Sequence, residues 1–348
     1  MATIKSTGYQ ITIGDTCFES INKFLKKTKY TKHTIICDEN SLTHCLPILL
    51  YNCEALNEAE IIELESGEEN KTLETCAQVW GALTDIGADK KSLVINLGGG
   101  VVSDLGGFVA STYKRGIDFI NVPTTLLAMA DASVGGKTGI DFNGIKNHIG
   151  TITLPQGVFV NPDFLKTLPQ RQLKNGYAEI IKIALISDAV FWNFLKKGKL
   201  NYTEAVITKA IELKNNIVKQ DLNETGIRKA LNFGHSIGHA IESALLSQKH
   251  DVLHGEAVAA GMLLESQIAL QQKHITKKEC DAICNYINSI YTKIKISAKT
   301  KQLAIEYIKH DKKNEGNYLC FALPKSIGHY EMSCNITTND VLHAIENY

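Results

Sequence analysis

The chain has no net charge: its 37 basic and 37 acidic side chains cancel across 348 residues. That balance removes the electrostatic footprint of a nucleic-acid binder or of a protein drawn to an acidic membrane. Nowhere do ~18 apolar residues run together, so no membrane span is expected. The opening "MATIKSTGYQITIG" lacks the apolar stretch of a signal peptide. Nine cysteines is an odd count, they are scattered, and none forms C-x-x-C. A reducing cytosol is the simplest compartment for such a chain. The "CDAIC" pair, Cys280 and Cys284, has helical spacing that could clip a metal; two reduced helix cysteines explain it better. Internal repeats, low-complexity tracts and the G-x-G-x-x-G dinucleotide fingerprint are also missing.

What is present is an ordinary globular composition, 44% hydrophobic and 21% charged, over a length that suits two domains. The first half alternates strand-like runs with helical ones. "TIIC" (34–37), "SLVINL" (92–97) and "DFINVP" (118–123) read as strands, and "ETCAQVWGALTDIG" reads as a helix ending at glycine. Such alternation implies an α/β unit with a mostly parallel sheet. In the second half, "GYAEIIKIALI", "YTEAVITKAIELKNNIVKQ", "GHSIGHAIESALL", "GEAVAAGMLLESQIALQQK" and "KKECDAICNYINSIY" are apolar at helical spacing, with no comparable strand runs between them. The change falls near "FLKTLPQRQLKNG", where Pro169 and Gly176 break the pattern. The expected organisation is an α/β domain over 1–168 and an all-α domain over 169–348.

"INLGGGVVSDLGGFVAS" reads as strand, glycine cluster, helix. Consecutive glycines there would let backbone amides approach a pyrophosphate, and a helix N-terminus favours its charge. A tight structural turn would leave the same signature. The "DEN" after the first clear strand (Asp38, Glu39, Asn40) could accept from ribose hydroxyls and would repel a 2′-phosphate, favouring NAD over NADP. A solvated turn is the plainer reading of that feature alone. "PTTLLAMADASVGGKTGIDFNGIKNHIG" (123–150) mixes Asp131, Lys137, Lys146 and Asn147 with glycines and an apolar helix-like run. Lysine as a point charge, asparagine as a neutral donor and glycine for close approach suit an anion pocket.

In "LNFGHSIGHAIES" His235 and His239 stand four residues apart, on one helical face, and His254 opens the next helical run. Glu179 and Lys182 in "GYAEIIK" are three apart within an apolar segment. Three histidines and a glutamate can furnish three ligands and an open position around a catalytic metal. Spacing alone nominates both His235 and His239 as ligands. Arg228 and Asn232 fall at i−7 and i−3 from His235, so an arginine, an asparagine and two histidines could share one stripe. Buried polar groups need partners, and an anionic, hydroxylated small molecule would supply them.

The blocks "GGGVVSDLGGFVAS", "PTTLLAMADASVGGKTGID", "KNHIG", "GYAEIIK" and "GIRKALNFGHSIGHAIE…LHGEAV" resemble 3-dehydroquinate synthase, in collinear order from about residue 38 to about residue 325. The resemblance implies a cytoplasmic homodimer, with a Rossmann-like NAD-binding α/β domain followed by a helical metal-binding domain. It implies conversion of 3-deoxy-D-arabino-heptulosonate 7-phosphate to 3-dehydroquinate, the second step of the shikimate pathway. NAD would oxidise the carbon 5 hydroxyl, phosphate would leave by β-elimination, the hydride would return, and ring opening with aldol closure would give the carbocycle. Glu179, His235 and His254 would hold zinc or cobalt, and His239 would pass from metal to substrate. Lys137, Asn147, Asn232, His239 and Lys312 or Lys313 would surround the phosphate, with Arg115 reaching in from the partner subunit. Lys214 and Arg228 would hold the carboxylate, and Asp131 and Lys182 would contact ring hydroxyls. Gly99, Gly100, Val101, Asp104, Thr124, Thr125, Lys146 and Phe164, Leu165, Lys166 and Thr167 would line NAD. Asp38, Asn40, Glu68 and Lys71 would flank its adenosine end. The link "SALLSQKHDVLHG" is somewhat longer than the family pattern.

Three other functions fit parts of this pattern. Another sugar-phosphate cyclase would lack the need for Lys214 and Arg228 opposite a carboxylate. A metal-dependent polyol dehydrogenase would release NADH and need no Lys137, Lys146, Asn147 cluster. A non-catalytic NAD- or metal-binding protein leaves the filled chemical positions without a purpose.

Overall fold

A computed structural model describes residues 2–143, 145–309 and 319–348. Strands β1 (Ala2–Lys5), β2 (Gln10–Ile13), β3 (His33–Asp38), β4 (Glu60–Leu64), β5 (Leu93–Gly98), β6 (Asp118–Pro123), β7 (Lys137–Phe142), β8 (Ile145–Ile152) and β9 (Gly157–Val160) are followed by a long helical stretch and by β10 (Leu319–Ser326) and β11 (His329–Ile336). Backbone contacts divide the chain into two compact units. The first is Met1–Leu173 with Thr203–Leu222; the second is Lys174–Tyr202 with Asn223–Tyr348.

The first unit is built on a seven-stranded sheet in the order β1-β2-β9-β6-β5-β3-β4. Only β1 runs antiparallel to its neighbour. All six residues of β5 are buried, which is why this strand reads as a continuous apolar run rather than an alternating one. Ile36, Val94 and Phe119 meet Val102, Leu105 and Phe108 of the helix Gly100–Thr112 in the core. The chain leaves β3 for β4 on one side and leaves β5 for β6 on the other. The crevice between β3 and β5 is therefore a switch point, where parallel sheets take their ligands. Register brings the strand ends level: Asp38 lies opposite Leu64, Ile36 opposite Asn96, and Gly98 opposite Pro123.

The polar middle folds as one short π-helical turn, Ala128–Ala132, and then as the antiparallel hairpin β7–β8. The apolar helix-like run is helical, and the glycine-containing stretch after it forms the hairpin. The helix Glu204–Gln220 belongs to the first unit, whereas the sequence reading grouped it with everything after 168. Asn215 donates to the Lys5 carbonyl at 3.0 Å and so ties this helix to β1.

In the second unit the helices Gln170–Ser187, His235–Ser247, His254–Gln271 and Lys277–Ile290 match the expected helical runs. Gly176 does not break the first of these; it lies inside it. The unit is helical but not all-α, because β10 and β11 pair as a hairpin. Cys17, Cys37, Cys45, Cys53, Cys76, Cys280 and Cys284 are free thiols, while Cys320 on β10 is disulfide-bonded. No described helix is long and apolar enough to cross a membrane.

The helices His235–Ser247 and His254–Gln271 touch backbone to backbone. A Cβ on Gly261 would stand 1.9 Å from the Gly234 carbonyl oxygen and 2.8 Å from the Gly238 nitrogen. Neither atom can yield without parting the helices. Gly261→Ala should therefore destabilise the protein by about 1–3 kcal/mol, read as a lower midpoint in differential scanning calorimetry. An unchanged midpoint would show that the crossing has slack.

Candidate active site

Two groups of functional side chains emerge, one in each unit. In the first unit, the segments expected to bind a nucleotide follow the carboxyl ends of parallel strands. Asp38 ends β3, Glu68 and Lys71 follow β4, Gly99 to Asp104 follow β5, Thr124 and Thr125 follow β6, and Phe164 to Thr167 follow β9. Gly99 is the N-cap of the helix Gly100–Thr112 and supplies no side-chain cap. Amides of a first turn have no partner within their own helix, so they suit an anion such as a pyrophosphate. Asp38 Oδ1 accepts from the Ser41 amide and hydroxyl, both at 2.7 Å, which fixes its carboxylate at the strand end. Asn40 is exposed beside it. Phe164 and Leu165 are buried, and Lys166 pairs with Asp163 at 2.8 Å in a solvated position.

Lys71 is the centre of this edge. Its buried ammonium donates to Asp104 Oδ2 at 2.7 Å and to Asn147 Oδ1 at 2.5 Å, with Glu68 at 4.0 Å. Burial works against the charge, but Asp104 and Glu68 outweigh it and hold the Lys71 pKa above its usual value. Lys146 joins the cluster through Glu68 at 3.3 Å. Asn147 adopts φ +50°, and its backbone N–H donates to Asp141 Oδ1 at 2.8 Å. Because Asn147 Oδ1 accepts from Lys71, its side-chain NH2 faces away from that ammonium. Lys137 begins β7 and is exposed. Lys214, buried on the helix Glu204–Gln220, donates to the carbonyl and Oδ1 of Asp131 at 2.5 and 2.6 Å. Arg115 ends an exposed turn with φ +67°.

In the second unit, Glu179 and Lys182 share a face of the helix Gln170–Ser187, as i, i+3 spacing requires, and they form an ion pair. Both are only 2% exposed, so this is no surface pair. Glu179 Oε1 lies 3.5 Å from Nε2 of His235 and 3.5 Å from Nε2 of His254. His239 is part of the same cluster: one ligand nitrogen from each of the three histidines lies within 4.8 Å of the others. Direct N–H···O bonds are shorter, about 2.7–3.2 Å. Two ligand atoms on one tetrahedral zinc stand about 3.4 Å apart. The carboxylate and imidazole donors therefore fit a shared divalent cation. Burial would raise the Glu179 pKa, but the charge of Lys182, with His254 beside it, outweighs burial and holds the carboxyl at about 2. Burial, with Lys182 nearby, pushes His235 well below the usual imidazole value, leaving its nitrogen free to ligate. For His254 burial is overcome by Glu242 and Glu179, which push it up to about 10; a field that favours a proton also favours a metal cation.

Helix starts position these imidazoles. His235 and His254 are each the first residue of their helices. Glu265, fully buried, accepts from the amides of Gly234 at 2.6 Å and Ile237 at 3.0 Å, and so caps the His235 helix. Asn175 Oδ1 accepts from the Gly255 amide at 2.6 Å. A Cβ on Gly255 would sit 2.0 Å from the Asn175 carbonyl oxygen, so glycine lets the His254 helix start against the Glu179 helix. Sequence reasoning passed over Glu242, Glu265 and Asn175. The signal was there in "GHAIESALL" and "GMLLESQIAL", where an acid stands within a small, apolar run.

One expected arrangement fails. Arg228, Asn232 and His235 do not share a helical stripe. Ile227–Asn232 is a 3-10 helix, Phe233 is extended, and left-handed Gly234 (φ +77°) precedes the α-helix. Arg228 is buried, while Asn232 donates to Glu224 at 2.6 Å. Lys312 and Lys313 lie outside the described residues.

Comparison with known proteins agrees with this geometry. The family models for the N-terminal and C-terminal parts of 3-dehydroquinate synthase match residues 61–175 and 176–314. The chain is 39% identical over 333 residues to the 3-dehydroquinate synthase of Parabacteroides distasonis, covering 94% of each. A solved 2-deoxy-scyllo-inosose synthase, complexed with carbaglucose-6-phosphate, NAD+ and Co2+, shares the fold at a TM-score of 0.86 and 24% identity over 99% of both chains. The 2-epi-5-epi-valiolone synthase of Streptomyces hygroscopicus subsp. jinggangensis, with NAD+ and Zn2+ bound, gives 0.82 at 25% identity, over 100% of this chain and 98% of that one. With matches to both halves and a close relative along nearly its whole length, the chain belongs to the 3-dehydroquinate synthase family.

Proposed function

We propose that this enzyme converts 3-deoxy-D-arabino-heptulosonate 7-phosphate to 3-dehydroquinate and phosphate. The observation that carries the reading is the buried Glu179 carboxylate held 3.5 Å from two imidazole nitrogens, with Lys182 beside it. Glu179, His235 and His254 would hold a divalent cation, zinc or cobalt, and when bound it would supply Lewis-acid chemistry toward a substrate oxygen. The switch-point edge of the first unit, from Asp38 through Lys71, Gly99 and Thr124 to Thr167, would hold NAD, whose chemistry there would be a hydride taken up and returned without net consumption. The NAD-binding α/β part and the metal-binding helical part meet in sequence near residue 169.

The chain's own side chains then bind and orient. Lys182 and Asp131 hydrogen-bond ring hydroxyls. Lys214, fixed by Asp131, and Arg228 bind the carboxylate. Lys137, Asn147, Asn232, His239 and Lys312 or Lys313 bind the phosphate and favour its departure by β-elimination. Lys71 keeps the Asn147 amide turned as a donor. The protein is a homodimer in the cytoplasm, and Arg115 completes the phosphate site of the partner subunit. Fixed donors of this kind act mainly by positioning and by stabilising developing charge.

Lys182→Ala and His239→Ala should each lower turnover by about 100-fold or more while the fold persists; turnover within about tenfold of the parent, with an unchanged circular dichroism spectrum, counts against these roles. Stripping the protein with a chelator should abolish phosphate release, and added Zn2+ or Co2+ should restore it. In the intact enzyme, phosphate release from the heptulosonate ester should proceed without net NADH at 340 nm. Net NADH would point to a dehydrogenase, and a preference for a sugar phosphate without a carboxylate would point to another cyclase.

A further inference from the structure

Glu242 is a buried carboxylate that the mechanism above leaves unused. It sits on the helix His235–Ser247, two turns beyond His235, and is 1% exposed. Its Oε2 lies 3.3 Å from Nδ1 of His254, on the neighbouring helix. The opposite nitrogen of that ring, Nε2, is the one 3.5 Å from Glu179. The His254 ring is therefore bracketed by two carboxylates from two different helices. His235 is oriented differently, with Nδ1 3.2 Å from the Phe233 carbonyl oxygen. Each ring has its Nδ1 turned to an acceptor and its Nε2 turned to Glu179. Only His254 has an anion as that acceptor.

We propose that Glu242 is a positioning residue for the divalent cation: by accepting the Nδ1 proton of His254 it fixes the ring with Nε2 as ligand, and it supplies a second negative charge to the centre. The proposal rests on the reading of Glu179, His235 and His254 as cation ligands. The charge argument is simple. Glu179 is already matched by the Lys182 ammonium. Neutral imidazoles add no charge, and both ligand histidines open helices, where the positive end of the backbone dipole disfavours a cation. Glu242 offsets that penalty from inside the protein. A carboxylate hydrogen-bonded to a ligating histidine also raises the ligand's basicity. A carbonyl, as at His235, orients the ring without adding charge.

The first test is Zn2+ affinity of the full-length protein, measured by competition with a chromophoric chelator at pH 7.5. Glu242→Gln keeps the shape and an acceptor but removes the charge; Glu242→Ala removes both. We expect affinity to fall by about 10-fold in the first and by up to about 100-fold in the second, with NAD affinity unchanged in both. A folded Glu242→Gln protein with Zn2+ affinity within twofold of the parent overturns the proposal. A parent that binds no Zn2+ overturns instead the ligand set on which it rests. The second test uses the unaltered protein, so it stands even if the variants fail to fold. In 15N-histidine spectra of the Zn2+-loaded enzyme, His254 should be the Nδ1–H tautomer with a strongly hydrogen-bonded, low-field proton. The Nε2–H tautomer at His254 would overturn the assignment.

Discussion

A carboxylate in a protein interior must be matched, because an isolated buried charge costs far more than folding can spare. Glu179 imposes that condition on the second unit. Its side chain is 1% exposed, so its partners have to be brought to it by other helices. Lys182 comes on the same helix, His235 and His254 on two others. Much of the local architecture serves to hold those three helices at one spacing. Asn175 and Gly255 seat the His254 helix against the Glu179 helix, and Gly261 and Glu265 lock the His254 and His235 helices together. The result is an atom spacing too long for hydrogen bonds and right for a shared metal ion.

The first unit reaches convergence by another route. Parallel strands in register end at a common edge, so loops distant in sequence become neighbours without long-range side-chain design. Asp38, Lys71, Gly99 and Thr124 are collected in this way. Lys71 then links the edge to the β7–β8 hairpin through Asn147. A residue assigned from the sequence to the nucleotide thus also orients one assigned to the phosphate.

The legible parts of the sequence were those where local pattern and burial agree. "SLVINL" and "DFINVP" are central strands buried on both faces, and the long amphipathic helices hold their period. The edge strands β1 and β4 escaped notice because edge runs carry charge and polarity, as in "EIIEL" of β4, where only Leu64 is buried, while β2 and β9 are inner strands only four residues long. The β7–β8 hairpin was masked by its own glycines and by the apolar run before it. The Arg228 to His235 stripe failed because one left-handed glycine resets the helical phase. For Glu204–Gln220 the helix itself was plain, but which unit it packs with depends on contacts far away in sequence. Spacing nominated His235 and His239 as ligands, and the nitrogens of His235, His239 and His254 do lie within 4.8 Å of one another; the family resemblance instead implied Glu179, His235 and His254.

The interleaving of the two units bears on how the chain acquires its structure during synthesis. Its first unit needs Thr203–Leu222, and its second begins at Lys174, so the polypeptide passes from one to the other three times. A ribosome building this protein therefore exposes the segment with Glu179 and Lys182 before the first unit has its last helix, and well before His235 and His254 exist. That pair of charges must wait in water until His254 has been made, well past the middle of the chain, and the Glu179–His235–His254 cluster closes only after both units are under way.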